Sequence, residues 1–235
     1  MFSDDITGST IPSEIGELTQ LKELVLYNNS LTGTIPTEIG KLTQLQRLSF
    51  SFNALTGEIP SQIGELSQLE WLRFYNNSLT GTIPTEIGKL AQLQELDFSF
   101  NALTSEIPSL IGELSQLKRL HFYNNSLTGT IPTEIGKLAQ LQELDFSFNA
   151  LTSEIPSQIG ELTQLEWLDF YHNSLTGTLP TEIGDLAHLT SLKFHGNVLS
   201  GTVPSSLCSL ASVDIWIDCG EIACASGCCI EDGCS

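Results

Sequence analysis

Apolar residues recur along this chain with a fixed period of 24 residues. In each period Leu24 and Leu26, or their equivalents, are followed by an asparagine of the Asn29 type. That asparagine recurs at Asn29, Asn53, Asn77, Asn101, Asn125, Asn149, Asn173 and Asn197. A period of this size predicts a solenoid, because one repeat cannot bury its own apolar side chains whereas stacked neighbours can. We therefore expect one elongated domain with a continuous core.

Each repeat begins with a segment in which apolar and variable positions alternate. Leu24 and Leu26 are apolar while positions 23, 25 and 27 vary between repeats, which predicts a short strand with one face in the core and one in solvent. Equivalent strands would stack in parallel roughly 4.8 Å apart. Asn29 is expected to end the strand and to bond backbone groups in the bend, so that the stacked asparagines form a buried ladder.

The second half of each repeat holds a proline and two glycines at fixed positions. Pro36 has a fixed φ and no N–H, which favours the first turn of a short helical segment. Gly40 follows, and we expect it to close that turn with a positive φ. Gly33 is not expected to need a positive φ, because Ser105 and Ser153 occupy the equivalent position.

The complete motif, LxxLxLxxNxLTGxIPxxIGxL, resembles the plant-type leucine-rich repeat over residues 6–207. The resemblance implies an α/β solenoid, a right-handed superhelix with a parallel β-sheet on its concave face and short 3-10 or helical segments on its convex face. In this the chain is similar to leucine-rich-repeat receptor ectodomains and polygalacturonase-inhibiting proteins. We predict a degenerate N-terminal half-repeat at 1–20, repeats over 21–206 and a cysteine-rich C-terminal cap at 207–235. The cap resembles the ends of secreted or surface leucine-rich-repeat proteins of microalgae.

Charge and hydropathy argue against several classes of partner. The chain has 28 acidic and 9 basic residues and a net charge of −19, which disfavours nucleic acid and anionic membrane surfaces as partners. No apolar run approaches the ~20 residues of a membrane span, so no membrane insertion is predicted. The same charge is expected to keep the solenoid soluble and monomeric.

All six cysteines are clustered at the C-terminal end of the chain. They are Cys208, Cys219, Cys224, Cys228, Cys229 and Cys234. This cluster predicts a disulfide-stapled cap and an oxidising compartment, although sequence does not choose among the possible pairings. A zinc knuckle is the alternative, disfavoured because two CxxC pairs and a nearby histidine are lacking. The chain opens MFSDDITG, without the basic and apolar regions of a secretory signal. We therefore expect a mature or partial form of a secreted protein, extracellular or at the cell surface.

No catalytic constellation stands out in the sequence. A GxSxG elbow, a phosphate-binding loop and an HExxH motif are all missing, so we predict neither an enzyme nor a cofactor. His172 and His195 are expected at the strand exits of adjacent repeats near Asp169, where a metal site is conceivable. Solvated surface histidines are the favoured interpretation, and no metal is predicted.

The predicted concave strand face is where the repeats have diverged. Residues 75–122 and 123–170 differ at five positions, three of them on or beside the outward face of a strand. Exposed convex positions such as Glu38, Lys41 and Gln44 barely change between equivalent units, so uniform drift does not explain the pattern. Trp, Tyr and Arg are typical of binding hot spots. The predicted ligand-binding residues are Arg47, Trp71, Arg73, Tyr75, Asp97, Arg119, His121, Tyr123, Asp145, Trp167, Asp169 and Tyr171.

These observations favour a non-enzymatic recognition module that binds a protein, peptide or glycan on the concave face. A structural or adhesive surface protein is one alternative. In another, the exposed aromatic rings pack on one another to shield the sheet, with Phe52, Phe100 and Phe148 at the strand exits. NNS sequons begin at Asn28, Asn76 and Asn124, which predicts glycosylation at one rim of the concave face in a secreted protein.

A further alternative is ice binding through columns of threonine. One column follows each Leu31-type residue, and a second column two positions later is filled only in alternate repeats. The columns consist of Thr32, Thr56, Thr80, Thr104, Thr128, Thr152 and Thr176, and of Thr34, Thr82, Thr130 and Thr178. Some ice-binding proteins resemble this arrangement. Glu58, Glu106 and Glu154 interrupt the second column, so TxT pairs would recur only every ~9–10 Å, and we predict no thermal hysteresis.

Overall fold

The repeats stack into a solenoid in which each contributes one strand to a continuous parallel sheet. The computed structural model describes residues 8–210, 213–218, 222–224, 228 and 230–232. Within these residues ten strands form the sheet, here called the concave sheet. They are Glu23–Val25, Arg47–Ser49, Trp71–Arg73, Glu95–Asp97, Arg119–His121, Glu143–Asp145, Trp167–Asp169, Ser191–Lys193, Asp214–Asp218 and Ile230–Asp232. Equivalent residues of successive repeats pair side by side and form rows, which confirms the predicted α/β solenoid.

Shorter strands and 3-10 helices complete each repeat. The short strands form parallel side sheets from Thr32–Gly33, Ala54–Glu58, Ser78–Gly81, Ala102–Ser105 and Ser126–Leu127, from Thr152–Glu154, Ser174–Gly177 and Val198–Leu199, and from Gly201–Thr202 and Ile222–Ala223. The 3-10 helices are Ser13–Glu17, Thr37–Lys41, Ser61–Glu65, Thr85–Lys89, Ser109–Glu113, Thr133–Lys137, Ser157–Glu161 and Thr181–Asp185, followed by the α-helix Ser205–Cys208. The predicted short helical segments are therefore confirmed.

The core contains a phenylalanine spine that sequence analysis did not single out. Its members occupy the position equivalent to Leu26, one per repeat: Phe50, Phe74, Phe98, Phe122, Phe146, Phe170 and Phe194. Neighbouring ring centroids lie 5.4 to 5.8 Å apart, and most pairs are stacked. Burial of each ring stabilises the folded state, and contact between neighbouring rings adds a further stabilisation. The spine thus holds the backbone of successive strands at a constant spacing beneath the outward-facing side chains.

The predicted asparagine ladder is confirmed and ties each repeat to the one before it. The Nδ2 atom of Asn53 donates to the carbonyls of Leu26 and Phe50, both at 2.8 Å, and its Oδ1 atom accepts from the backbone N–H of Leu31 at 2.9 Å. Asn101 repeats these contacts two repeats later. Because a buried backbone group without a partner is costly, the ladder fixes the bend that follows every strand.

The two glycine predictions are wrong, and their roles are exchanged. Gly40 does not have a positive φ; a Cβ there would lie 2.7 Å from the carbonyl oxygen of Gln62, so its glycine reflects close stacking of the 3-10 helices. Gly33 has a φ of 76°, and Ser105 and Ser153 adopt 74° and 69° in the same place. Serine at this position therefore accepts a strained backbone that glycine adopts freely.

The C-terminal cap continues the concave sheet and is held by disulfides. Cys208 and Cys228 are bonded, with Cα atoms 5.3 Å apart, and Cys224 is also disulfide-bonded. Cys219, Cys229 and Cys234 lie outside the described residues, as do residues 1–7, and the predicted domain boundaries stay a prediction.

Core spacing suggests that Leu210, Val213 and Trp216 point inward, and for Trp216 this is wrong. Leu210 and Val213 pack partly buried against the core, whereas Ile215 and Ile217 are the buried residues of the last repeat-like strand. Trp216 pairs with Lys193 in the outward-facing row.

Candidate functional site

The outward-facing residues of the concave sheet form two depressions, both lined by residues predicted to bind. The N-terminal depression has a volume of ≈ 240 Å³. It is lined by Glu23, Val25, Tyr27, Arg47, Leu48, Ser49, Trp71, Arg73 and Tyr75. The C-terminal depression has a volume of ≈ 210 Å³. It is lined by Asp97, His121, Tyr123, Glu143, Leu144, Asp145, Trp167, Asp169 and Lys193.

In the N-terminal depression, two arginines lie against one tryptophan. The guanidinium carbons of Arg47 and Arg73 lie 4.1 Å and 4.6 Å from the centroid of the Trp71 ring. Each arginine also has an acidic partner: Arg47 donates to Glu23 at 3.1 Å, and Arg73 donates to Glu95 at 2.6 Å. Both arginines therefore have aromatic and acidic partners within the chain, although the buried Nε atom of Arg73 has no hydrogen-bond partner among the described residues.

In the C-terminal depression, two aspartates accept hydrogen bonds from serines two positions later in the chain. The Oδ1 atom of Asp97 accepts from the backbone N–H of Ser99 at 3.0 Å, and Oδ1 of Asp145 accepts from the N–H and hydroxyl of Ser147 at 2.9 and 2.5 Å. Neither aspartate forms a salt bridge with any residue that the structure describes. Burial raises the pKa of both carboxyl groups above their usual range, although the serine hydrogen bonds and the charge of His121 act to lower it.

The other two carboxylates of this depression have cationic neighbours within the chain. Glu143 contacts Arg119 at 3.0 Å and the His121 ring at 3.2 Å. Asp169 contacts the ammonium of Lys193 through Oδ2 at 2.7 Å. Burial opposes the charge of Lys193, but the hydrogen bond and charge of Asp169 raise its pKa. The Oδ1 atom of Asp169 is buried and has no hydrogen-bond partner among the described residues.

The two depressions occupy equivalent places in the repeat, four repeats apart. Trp71 and Trp167 are equivalent residues 96 positions apart in the chain. Arg47 and Arg73, which flank Trp71, are replaced by Glu143 and Asp169 around Trp167. Trp167 is 53% exposed, and no cation of the described chain lies over its ring.

Aromatic rings also pack along one rim of the concave face, as the shielding alternative predicts. Phe52 makes edge-to-face contacts with Tyr27 and Tyr75, each at 5.2 Å between centroids, and later repeats contain similar Tyr–Phe pairs. Packing does not bury the phenylalanines, because Phe52, Phe100 and Phe148 are 38 to 46% exposed. All three have positive φ, which is unfavourable for a bulky residue.

The sequon asparagines occupy the same backbone position as these exposed phenylalanines. Asn28, Asn76 and Asn124 have φ values of 57°, 54° and 54°. Asn28 and Asn124 are exposed, and Asn76 is half-buried. The rim is thus accessible at two of the three sequons, and glycosylation stays a prediction.

The described residues contain one cluster of three potential metal ligands, and it is not the histidine group considered from sequence. It consists of the sulfur atoms of Cys208, Cys224 and Cys228, all of which are in disulfides. A disulfide sulfur is not the thiolate that binds zinc. His172 and His195 pack instead with aromatic neighbours: His172 lies 4.6 Å from Phe148, and His195 lies 4.7 Å from Tyr171.

The threonine columns lie on the side sheets and are largely exposed. In several repeats, including the consecutive ones of Thr32 and Thr56, the hydroxyl of the first threonine donates to a carbonyl of the preceding repeat, as Thr56 does to Gly33 and Thr104 does to Gly81, both at 3.3 Å. Glu58 and Glu106 are exposed in the second column. The predicted interruption of the column by carboxylates is therefore present.

Sequence analysis found the aromatic and aspartate residues of this face but omitted three charged ones from the predicted site. Glu95 bridges Arg73 and Arg119, Glu143 contacts His121, and Lys193 contacts Asp169. All three occupy outward-facing strand positions in the same rows as predicted residues. Their position in these outward-facing rows could have identified them from sequence, whereas their ion pairs depend on the folded structure.

The fold and this surface define a class of protein: a repeat solenoid whose outward-facing strand residues differ from one repeat to the next. The chain belongs to the leucine-rich-repeat family. The profile described as "Leucine-rich repeat region" matches residues 60–174, and the profile "Leucine Rich Repeat" matches 20–42, 44–66, 164–186 and 188–210. A comparison with curated proteins finds no match. No helix among the described residues is long and apolar enough to cross a membrane.

Solved structures of plant receptors are similar to this chain. A plant peptide hormone receptor, RGFR1 in complex with RGF2, is 38% identical with a TM-score of 0.88, over 93% of this chain and 35% of that one. The Arabidopsis receptor kinase HAESA in complex with the peptide hormone IDA and the co-receptor SERK1 is 36% identical with a TM-score of 0.86, over 92% and 36%. The chain thus spans about a third of the length of these receptor structures.

A plant ice-binding protein is also similar. It is 29% identical with a TM-score of 0.70, and the match covers 86% of this chain and 73% of that one. One fold therefore accommodates different functions among these neighbours, and the choice for this chain depends on its own side chains.

Proposed function

We propose that this protein is a non-enzymatic extracellular recognition module that binds a peptide or a protein segment along its concave face. The observation that carries the proposal is the pair of depressions lined by Trp71 and Trp167, in equivalent places of the repeat. Both fall where the repeat units have diverged most. Tryptophan, tyrosine and arginine in such positions are typical of binding hot spots.

The dimensions favour a chain-like ligand over a small molecule. The depressions measure ≈ 240 and ≈ 210 Å³, whereas pockets for small molecules usually hold about 300–1,000 Å³. Each is therefore suited to one side chain. Four strand steps separate them, or about 19 Å at the usual spacing, and an extended peptide covers that distance with about six residues.

We assign affinity to Trp71, Tyr75, Trp167 and Tyr171, and orientation to Asp169. Arg73 contributes to orientation less directly, because its guanidinium already contacts Trp71 and Glu95. The remaining predicted residues lie on neighbouring strands of the same sheet face or just after them, and they line or flank the two depressions. A glycan is the less favoured ligand, since the charged groups in the C-terminal depression match a charged side chain better than neutral hydroxyls.

The solved neighbours support this choice of ligand. The RGFR1 and HAESA structures are described as complexes with peptide hormones. By analogy we propose an extracellular or cell-surface location for this protein, a monomeric state, and sugars on Asn28, Asn76 and Asn124 that would border the binding face.

The experiment is a selection of random peptides on the immobilised protein, repeated on variants. We expect Trp71→Ala and Trp167→Ala each to weaken selected peptides about tenfold or more, the usual scale for a hot spot. Lys41→Ala and Lys137→Ala on the convex side are the matched controls and should have no effect. Equal losses in both pairs of variants would reject the concave assignment. A structural or adhesive role would instead give weak binding that declines gradually as repeats are deleted.

Ice binding is the second candidate, favoured by the exposed threonine columns and the plant ice-binding neighbour. The carboxylates of Glu58, Glu106 and Glu154 are strongly hydrated and break the hydroxyl lattice, so we expect no thermal hysteresis at micromolar protein. Freezing-point measurement in a nanolitre osmometer checks this. A clear hysteresis gap that disappears in Thr80→Tyr or Thr128→Tyr would make the side sheets the functional face.

A further inference from the structure

We infer that the C-terminal depression binds one basic side chain of the partner, an arginine or lysine whose cationic group packs over Trp167. This inference rests on the proposed function and names the chemistry of one subsite. The N-terminal depression binds the same kind of group, but there the chain itself supplies it.

Two equivalent tryptophans of this molecule have opposite charges beside their rings. Trp71 has the guanidinium groups of Arg47 and Arg73 over its ring, at 4.1 and 4.6 Å. Trp167 is in the equivalent place and has Glu143 and Asp169 at the positions of those arginines. The Trp167 ring is therefore open to a cation: Arg119 and Lys193 pair with Glu143 and Asp169, and no cation among the described residues lies over the ring.

Acidic groups outnumber basic ones around the C-terminal depression. Four carboxylates line it against one lysine and one histidine, His121, whereas one carboxylate and two arginines line the N-terminal depression. Asp97 and Asp145 are mostly buried, and within the described residues their Oδ1 atoms accept hydrogen bonds from Ser99 and Ser147. A buried carboxylate without a counterion is unfavourable, and a bound cation would relieve that cost.

A buried carboxylate oxygen of Asp169, in the wall of the depression, lacks a hydrogen-bond partner among the described residues. Asp169 is 9% exposed, and its Oδ1 atom has no hydrogen-bond partner among the described residues, although Oδ2 contacts Lys193. Native proteins pair nearly all such buried atoms. A small rotation of the carboxylate towards an entering guanidinium or ammonium would satisfy it.

The size and spacing of the groups indicate a side chain rather than a metal ion. A volume of ≈ 210 Å³ holds one long side chain. The carboxylates of the depression do not form a set of three whose oxygens lie within 4.8 Å of one another, as far as the described residues show, so they are too dispersed to enclose one ion. Trp167 and Tyr123 supply aromatic surface, which favours an organic cation over a hydrated one.

The test uses a single-residue probe whose charge can be removed without changing its shape. Nα-acetyl-arginine methylamide is titrated into the full chain, with the indole N–H signals of the tryptophans followed by NMR, and the citrulline analogue serves as the neutral control. We expect the signal of Trp167 to shift with arginine while that of Trp71 does not. Citrulline should bind about tenfold more weakly or worse, because it lacks the charge.

Two variants locate the effect and one controls for net charge. Asp145→Asn and Glu143→Gln should each weaken arginine binding severalfold, while Glu154→Gln on a side sheet removes one charge elsewhere and should not. Equal binding of arginine and citrulline, or no loss in either of the two site variants, would overturn the inference.

The outcomes also separate this inference from the proposed function. Selected peptides that need Trp167 but show no preference for a basic residue would leave the proposed function standing and refute the cation subsite. Arginine binding at Trp167, with no peptide bound by the concave face, would support the cation subsite and refute the proposed function.

Discussion

The two depressions of the concave face share one backbone frame and differ in charge. Both rest on the same buried leucines, phenylalanine spine and asparagine ladder, and each has a tryptophan at the same position. Five lining residues of the N-terminal depression differ from their equivalents four repeats later: Glu23, Val25, Arg47, Ser49 and Arg73 correspond to Arg119, His121, Glu143, Asp145 and Asp169. The inward-facing residues therefore fix the positions of the side chains on the concave face, and the outward-facing residues determine which ligand each depression can bind.

The difference has an energetic side as well. In the N-terminal depression, Arg47 and Arg73 each contact both a carboxylate and the Trp71 ring, so both cations have partners of opposite charge without a ligand. In the C-terminal depression, burial raises the pKa of Asp97 and Asp145, so their charged forms are disfavoured. Groups perturbed in this way by burial in a cleft are typical of functional sites.

The strongest way to break the comparison is to exchange the charges. We expect the double variant Glu143→Arg with Asp169→Arg to weaken arginine binding at Trp167 roughly 30-fold or more. The chain would then supply its own cations beside the ring. Arg47 and Arg73 occupy the equivalent places, but Arg73 pairs with Glu95 whereas Asp169 pairs with Lys193, so the thermal midpoint of the variant is measured beside its binding. Calorimetric titration with acetyl-arginine methylamide measures it.

The reciprocal exchange provides the matched control for that variant. Arg47→Glu with Arg73→Asp should create a second arginine site at Trp71, seen as a shift of its indole signal. Retained binding in the first variant, together with no new site in the second, would mean that charge at these positions does not set the ligand.

A second test asks whether the two depressions depend equally on the disulfide cap. Reduction opens the loop between Cys208 and Cys228, 20 residues apart, and we expect a loss of about 3 kcal/mol in the free energy of unfolding. Because the cap strand Asp214–Asp218 pairs with Ser191–Lys193, amide exchange should accelerate around Lys193 before it does around Arg73. Chelator without thiol is the control, and unfolding by chelator alone would contradict the disulfide assignment.

The smallest expected effect concerns stability and pH. Because the pKa of Asp145 is raised in the folded state, protonation stabilises the fold; this stability is fully present below the ordinary pKa near 3.8 and is lost as the pH rises through the raised value. We therefore expect Asp145→Asn, which mimics the protonated form, to raise the thermal midpoint slightly at pH 7 and not at pH 3. Ser49→Ala, at the equivalent N-terminal position, should show no such pH dependence. A lower midpoint for Asp145→Asn at pH 7 would show that the charge is stabilising there.

Much of the fold could be predicted from the sequence, and the misses have physical causes. The 24-residue period predicted the stacked strands and the Asn ladder because each depends on a pattern repeated many times. The role of Gly40 was missed because it depends on how closely Gln62 of the next repeat approaches. Trp216 was misplaced because the repeat pattern decays there and the strand register changes with it.

The candidate site was predictable as a surface but not as a set of contacts. Row membership placed Trp71 and Trp167 on the same face, and divergence between repeat units drew attention to their neighbours. Sequence could not show that one ring lies beneath two guanidinium groups and the other is open, since both tryptophans have charged neighbours in the linear pattern.

By itself the sequence determined the solenoid, its repeat length, its core positions and the face on which it varies, because periodic burial of apolar residues allows few other arrangements. Only the tertiary structure decided which charges meet. The contacts of Trp71 with Arg47, and the open ring of Trp167, join residues of different strands, and their geometry depends on side-chain conformations that follow from packing. The difference between a tryptophan ring covered by arginines and one that is open is therefore a property of the folded chain.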